Sequence, residues 1–458
     1  MYAYYIIEFA KIQKIYKKTR ILIIFFVTLR QEMTIHNMKT KLFTTILTCL
    51  FVISCQEEEN IKTVICIPVY GQSLALGEEA TRVTDFDSLS NYANGRIVTE
   101  RMDHQFGFFD NNPTKQWIKR IIGYYQRSFE LSLYGMAETL CDHTGQDTLI
   151  CIFPGGQGAT DLYHLRKGTE PYLKFLKDIK TAYNKAQSHK WKFSMPLLCW
   201  MQGESDIAEY PGTDYRSLIL QFIDDINKDV CEITGQKDSI HFICYQTNPV
   251  TSAAHFNPNS FNCPETKVPE TLLELVRDDE RFHASGPTYP YTFARERIHI
   301  DGLSHKQHGR LIALTALDVL QHRKIKRGLL PLSATVSGKE IIIKFQIPAP
   351  PLVFDTIHIA KASNYGFSVI SPSNIDIAKH VYIKDNNIHI ECKEQPNGCR
   401  VRYAINGEKM FSGKLHGPRG NLRDSQGENI KTTIRGKSYP LHNWCWQFDI
   451  RVLQKAKT

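Results

Sequence analysis

Four short apolar runs, each ending in a polar loop and followed by a helical pattern, set the limits on what this chain can become. They are Thr63 to Val69 (TVICIPV), Asp147 to Phe153 (DTLICIF), Phe193 to Met201 and Ser239 to Gln246 (SIHFICYQ). Runs of this length and β-branched content fit strands covered on both faces. Amphipathic or helix-forming segments separate and follow them, at Trp117 to Tyr125, Ser128 to Cys141, Pro171 to Lys185, Asp214 to Ile233, Glu270 to Asp279 and His305 to Gln321. Such alternation predicts parallel βαβ units in a three-layer α/β/α domain over residues 63–328. Ligands of such domains sit at the carboxyl ends of the strands. The first run stops at Gly71, and Ser73-Leu74-Ala75-Leu76 has helix-forming character. That places Ser73 at a strand-to-helix turn, where unpaired backbone N–H groups favour developing negative charge.

From Leu330 the pattern changes to short strand-like runs separated by turn residues: Glu340 to Gln346, Thr356 to Ala360, Val381 to Ile383, Ile388 to Cys392, Arg400 to Ile405 and Trp446 to Ile450. Residues 331–458 are therefore expected to form a β-sandwich-like second domain. Cys392 and Cys399 flank a Gln-Pro-Asn-Gly turn, and a hairpin disulfide between them is one open reading.

The net charge of +9 is concentrated at the start of the chain. Residues 1–54 hold eight Lys/Arg and two Glu, so they supply +6 and leave +3 for the rest. That gives no basis for a nucleic-acid reading. Met38 opens a segment with Lys39 and Lys41 ahead of the apolar stretch Leu42 to Ile53, the pattern of a secretory signal over 38–54. Val52-Ile53-Ser54-Cys55 resembles a bacterial lipoprotein signal with Cys55 as the lipidated residue. Glu57-Glu58-Glu59 resembles the export tag of Bacteroidetes surface lipoproteins. Residues 1–37 then read as a mis-assigned start and 55–62 as a linker. The expected place is the outer membrane or cell surface, with a lipid anchor as the only membrane contact. No Cys/His cluster has metal spacing, and neither a metal nor an organic cofactor is expected.

Three loops carry a family resemblance. Gly71-Gln72-Ser73, Gly156-Gln157-Gly158-Ala159-Thr160 and Trp200-Met201-Gln202-Gly203-Glu204-Ser205-Asp206 are similar, in order and position, to the first three sequence blocks of the SGNH-hydrolase superfamily. The match is to its sialate O-acetylesterase-like branch of carbohydrate esterases. Arg402-Tyr403-Ala404 and Gly420 to Asp424 resemble tail segments of such enzymes. The resemblance implies a flavodoxin-like sheet and a serine esterase acting on an acetylated glycan. It implies Ser73 as nucleophile, with its own N–H, the Gly158 N–H and the Gln202 side chain forming the oxyanion hole. Glu204 would brace the third loop. Tyr163, His164 and the loop from Glu78 to Thr114 are candidates for substrate contact.

The base is where the sequence departs from that pattern. The family ends in Asp-x-x-His before its last helix, and no such string occurs in Ala294 to Gly309. One reading takes Glu296-Arg297-Ile298-His299, with Glu296 replacing Asp and His299 as base. The other takes Asp301 and His305, with Asp301 or Ser304 otherwise serving as a helix cap. A base belongs in the loop before the helix, with a carboxylate on its second nitrogen, which favours His299 with Glu296. The departure also leaves open a glycan-binding protein on a catalytically degenerate scaffold.

Overall fold

The first run becomes two strand segments, β1 (Thr63–Cys66) and β2 (Val69–Gly71), broken at Ile67-Pro68. The same kind of break separates β4 (Thr148–Cys151) from β5 (Pro154–Gly156), and β6 (Lys192–Ser194) from β7 (Leu197–Met201). With β3 (Ile97–Val98), β8 (His241–Gln246) and β9 (Phe282–Pro287) they lie in the order β3, β4/β5, β1/β2, β6/β7, β8, β9, and every pair is parallel. Without the two-residue β3, this is the flavodoxin-like order 2-1-3-4-5. The computed structural model describes residues 61–102, 129–209, 213–247, 250–296, 298–323 and 327–454. The expected signal, Cys55 and the linker up to residue 60, and the helix expected at 117–125, lie outside the described residues.

Alternation along the strands assigns each side chain to a layer. Val69, Cys199, Ile243 and Tyr245 face helices Ser132–His143 and Gly302–Leu320, packing with Met136, Leu140, Ile312 and Ala316. Tyr70, Trp200, Phe242 and Cys244 face helices Glu170–Ser188, Tyr215–Thr234 and Lys267–Asp278, packing with Phe175, Phe222 and Leu272. Burial on both sides is why these strands read as mainly apolar runs. Gly309 lets the two helices of the first layer meet closely, since a Cβ there would lie 2.0 Å from Ser132 O.

Several expectations are corrected. The stretch after Ser73 forms a series of turns, with Leu76 N–H donating to Ser73 O at 3.1 Å and Glu78 N–H to Ser73 O at 3.0 Å. Left-handed backbone at Gly77 (φ 67°) and Glu79 (φ 63°) stops any helix there. The fifth strand position, β9, is not among the four apolar runs; His283, Ser285 and Gly286 interrupt its apolar character. The last helix starts at Gly302, with Asp301 as its cap accepting from Ser304 N–H at 2.8 Å.

From Leu330 the sheets are antiparallel. Strands Leu330–Ser337, Glu340–Gln346, Asn387–Cys392 and Ala378–Lys384 form one, and Phe367–Ile370, Arg400–Tyr403 and Phe448–Arg451 another. Their inner faces share a core that includes Ile341, Ile343, Val381, Ile390, Val369, Val401 and Phe448. Thr356 to Ala360 is not a strand; the pairing segment is Val353–Phe354. Cys392 and Cys399 are free thiols, so the hairpin disulfide is not formed. This region joins the parallel sheet through Gln246, whose amide accepts from Gln447 N–H at 2.6 Å and donates to Gln447 O at 2.8 Å. The fully buried Arg402 donates to Pro258 O and Ser260 O, both at 2.6 Å, and to Asp449 at 2.8 Å.

Candidate active site

In this strand order the topology switches at β2, which has β5 on one side and β7 on the other. The crevice beyond a switch point is where open α/β sheets bind ligands. The loops leaving β2, β5 and β7 carry Gln72-Ser73, Gln157 to Thr160 and Gln202 to Asp206. Backbone bonds tie them: Gln72 N–H donates to Met201 O at 3.0 Å, and Gln157 N–H to Gly71 O at 3.1 Å. The Gln72 side chain adds a clamp, its Oε1 accepting from Gly203 N–H at 3.3 Å and Ser205 N–H at 3.2 Å. Gln72 was not given a role from sequence; a glutamine beside a candidate nucleophile has no distinctive spacing signal.

Ser73 is 3% exposed. Among the described residues, neither its N–H nor the Gly158 N–H donates to another protein group. Two unspent backbone donors on neighbouring loops are what an oxyanion site requires. A Cβ at Gly158 would lie 2.2 Å from Glu78 Oε1, so a larger residue there would displace that carboxyl.

Gln202 is fully buried, and its amide is engaged throughout. Its Nε2 donates to Asp206 Oδ2 at 2.5 Å and to Thr160 O at 3.3 Å, while its Oε1 accepts from the Tyr215 hydroxyl at 2.9 Å. Donating to an oxyanion would mean releasing the long Thr160 bond. Asp206 is held among these groups with its carboxyl raised to about 6 by burial, and also accepts from Leu162 N–H at 3.1 Å. Glu204, 2% exposed, accepts from the Tyr245 hydroxyl at 2.5 Å, which fits a bracing residue. Tyr163 is half exposed with the Arg166 guanidinium over its ring, and His164 is held by Asp161 at 2.8 Å.

His299 sits in the loop before the last helix, with Nδ1 2.9 Å from Glu79 Oε2. The carboxylate holding this ring is therefore supplied by Glu79, six residues after Ser73. Glu296 ends the short 3-10 turn Ala294–Glu296, and its side chain lies outside the described residues. Glu79 reaches His299 from a left-handed backbone, φ 63°, a conformation that costs a non-glycine residue about 1–3 kcal/mol and concentrates at functional sites. Its turn is anchored by buried Glu130, which accepts from Val83 N–H and Thr84 N–H, both at 2.8 Å, and from the Thr84 hydroxyl at 2.6 Å. The sequence signal for Glu79 is an acid pair, Glu78-Glu79, directly after the Ser73 turn.

The Asp301/His305 pairing does not form. Asp301 caps the helix, and His305 is wholly buried with Nδ1 3.0 Å from Ser132 Oγ. Burial pushes His305 down to about 3, so it stays neutral. His308 is equally buried, bridging Ser132 Oγ at 3.0 Å and Ser285 Oγ at 2.9 Å. Ser73 Oγ and His299 share no hydrogen bond, a contact that hydrolytic pairs commonly complete only around substrate. Their neighbourhood is set by Glu78, whose N–H donates to Ser73 O and whose carboxyl feels the charge of His299.

Away from this rim, Asp355, His358 and His442 place possible metal-ligand atoms within 4.8 Å of one another. Arg423 Nε already lies 2.7 Å from Asp355 Oδ2, so that carboxylate carries a resident cation partner.

No protein-family model matches this sequence, and no curated protein matches it. Among solved structures, a carbohydrate acetylesterase from Xanthomonas citri aligns at a TM-score of 0.55 and 13% identity, covering 84% of this chain and 80% of its own. NanS aligns at a TM-score of 0.43 and 12% identity, over 57% of this chain and 99% of its own. A carbohydrate acetylesterase from Sinorhizobium meliloti, Est24, aligns at 0.31 and 10%, over 56% and 99%. The chain shares its α/β fold with the Xanthomonas citri protein.

Proposed function

We propose that this protein is a serine esterase that removes O-acetyl groups from carbohydrate. The observation that carries the reading is the His299–Glu79 pair, 2.9 Å apart, set beside the turn that holds Ser73. His299 Nε2 takes the Ser73 hydroxyl proton as Oγ attacks the ester carbonyl carbon. The oxyanion is received by the Ser73 and Gly158 N–H groups, each such donor contributing roughly 3–4 kcal/mol in comparable hydrolases. The C–O bond to the sugar breaks, and the leaving oxygen takes the proton from His299. Water, deprotonated by His299, then cleaves the acetyl-enzyme. Glu79 keeps the ring oriented and stabilises the imidazolium. The acetylated-glycan substrate class rests on the family resemblance and on the activity of the Xanthomonas citri structure of like fold.

The reading as a degenerate glycan-binding protein depends on a missing carboxylate partner for the base, and Glu79 stands in that role. Turnover of an activated acetyl ester, and acetate release from acetylated sialic acid, xylan and pectin, test the proposal. Wild type hydrolyses the activated ester and Ser73→Ala does not; a folded wild type with no turnover removes the esterase reading. Lipid anchoring at Cys55 is part of the proposal. It predicts that Cys55→Ala moves the exported protein from the membrane fraction to the soluble one.

A further inference from the structure

Glu78 is the polar group of this rim that the esterase scheme leaves unused. Its side chain is 6% exposed, and its Oε1 is buried with no hydrogen-bond partner. The carboxyl lies against Gly158, whose hypothetical Cβ would be 2.2 Å from Oε1 and 3.2 Å from Oε2. Its own N–H donates to Ser73 O at 3.0 Å. It therefore sits between the nucleophile turn, an oxyanion donor and the base. A buried acceptor oxygen with nothing donating to it disfavours the charged form. Burial raises this carboxyl to about 7, with His299 pulling it down and Glu79 pushing it up.

The groups facing it bound its effects. Glu79 comes from its own turn, and His299 from the loop before the last helix. Arg295 of that loop lies 3.7 Å from Glu79. The loop after β5 presents Gly158, which has no charge. Negative charge on Glu78 would stand beside the position where the ester oxygen becomes an oxyanion, and would oppose it.

We propose that Glu78 is a positioning residue that must hold its proton for acyl transfer, so that its ionisation shuts the site on the alkaline side. The proposal rests on Ser73 being the ester nucleophile. A serine esterase with a histidine base ordinarily gains activity as the base deprotonates and then holds a plateau. Here kcat/KM falls above about pH 7, approaching tenfold per pH unit.

The test is the pH profile of kcat/KM for an activated acetyl ester from pH 5 to 9, in wild type, Glu78→Gln and Glu78→Asp. The expected result is an alkaline fall in wild type, its loss in Glu78→Gln and its return in Glu78→Asp; the readout is the shape of the profile, not its height. A flat wild-type plateau to pH 9, or the same fall in Glu78→Gln, overturns the proposal. Wild type inactive at every pH would instead defeat the reading of Ser73. A second readout needs no activity. Glu78 in its raised state favours the folded protein at low pH, and that advantage is lost as pH rises toward 7. The melting temperature of wild type relative to Glu78→Gln therefore falls between pH 5 and 8. A constant difference overturns the proton-holding role by itself.

Discussion

The loop 294–301 and the first two turns of the helix behind it, Gly302–Leu320, hold three histidines within ten residues and use them in opposite ways. His299 lies at the rim with a carboxylate on Nδ1. His305 and His308 are fully buried on the hydroxyls of Ser132 and Ser285, held neutral by desolvation. A carboxylate partner stabilises the imidazolium that a base must become; a hydroxyl in a sealed core does not. Residue type does not separate these roles, whereas the partner and the access to substrate do.

The comparison breaks most sharply by mutation. His299→Ala should lower kcat/KM for an activated acetyl ester by about 10³–10⁴-fold with little change in melting temperature, while His305→Ala and His308→Ala leave the folded enzyme active. Full activity in His299→Ala with loss in His305→Ala would reverse the assignment. Next in size is the acid partner. Glu79→Gln should cost on the order of 10²–10³-fold in kcat, and Glu296→Gln a few-fold at most, read from the same assay.

The buried pair should show its role in stability. His308→Ala leaves a cavity and removes one of the two hydrogen bonds of each of the Ser132 and Ser285 hydroxyls, a loss of about 2–4 kcal/mol in chemical denaturation. Both buried histidines are pushed to about 3, below the unfolded value near 6.5. Between those values the unfolded chain binds more protons, so stability falls as pH drops below about 6.5. The slope approaches about 1.4 kcal/mol per pH unit for each ring, and His305→Asn should remove part of it.

Much of this fold is legible because buried parallel strands leave an unmistakable record. Val69, Cys199 and Ile243 pack one helical layer while Tyr70, Trp200 and Phe242 pack the other, so stretches such as Leu197–Met201 and 242–245 carry no polar interruption. The strand Phe282–Pro287 breaks that rule with His283 and Ser285 and was missed for that reason. The turn after Ser73 reads as a helix because propensity reports Leu-Ala-Leu, whereas the left-handed backbone at Gly77 and Glu79 decides it. Glu79 was hidden differently. Its partner lies 220 positions away, and only the sheet order brings the two loops together. Gln72 and Gln202 show the limit of motif reading: a string can locate a loop, but which hydrogens its amides have already spent is a property of the fold.

In the proposed reaction Ser73, served by His299 and Glu79, forms a covalent acyl-enzyme. Intact-protein and peptide mass spectrometry after brief exposure to an activated acetyl ester tests this. One acetyl group is expected on the peptide containing Ser73, absent from Ser73→Ala and formed far more slowly in His299→Ala. Acetylation at another residue accompanied by unimpaired turnover in Ser73→Ala would contradict it.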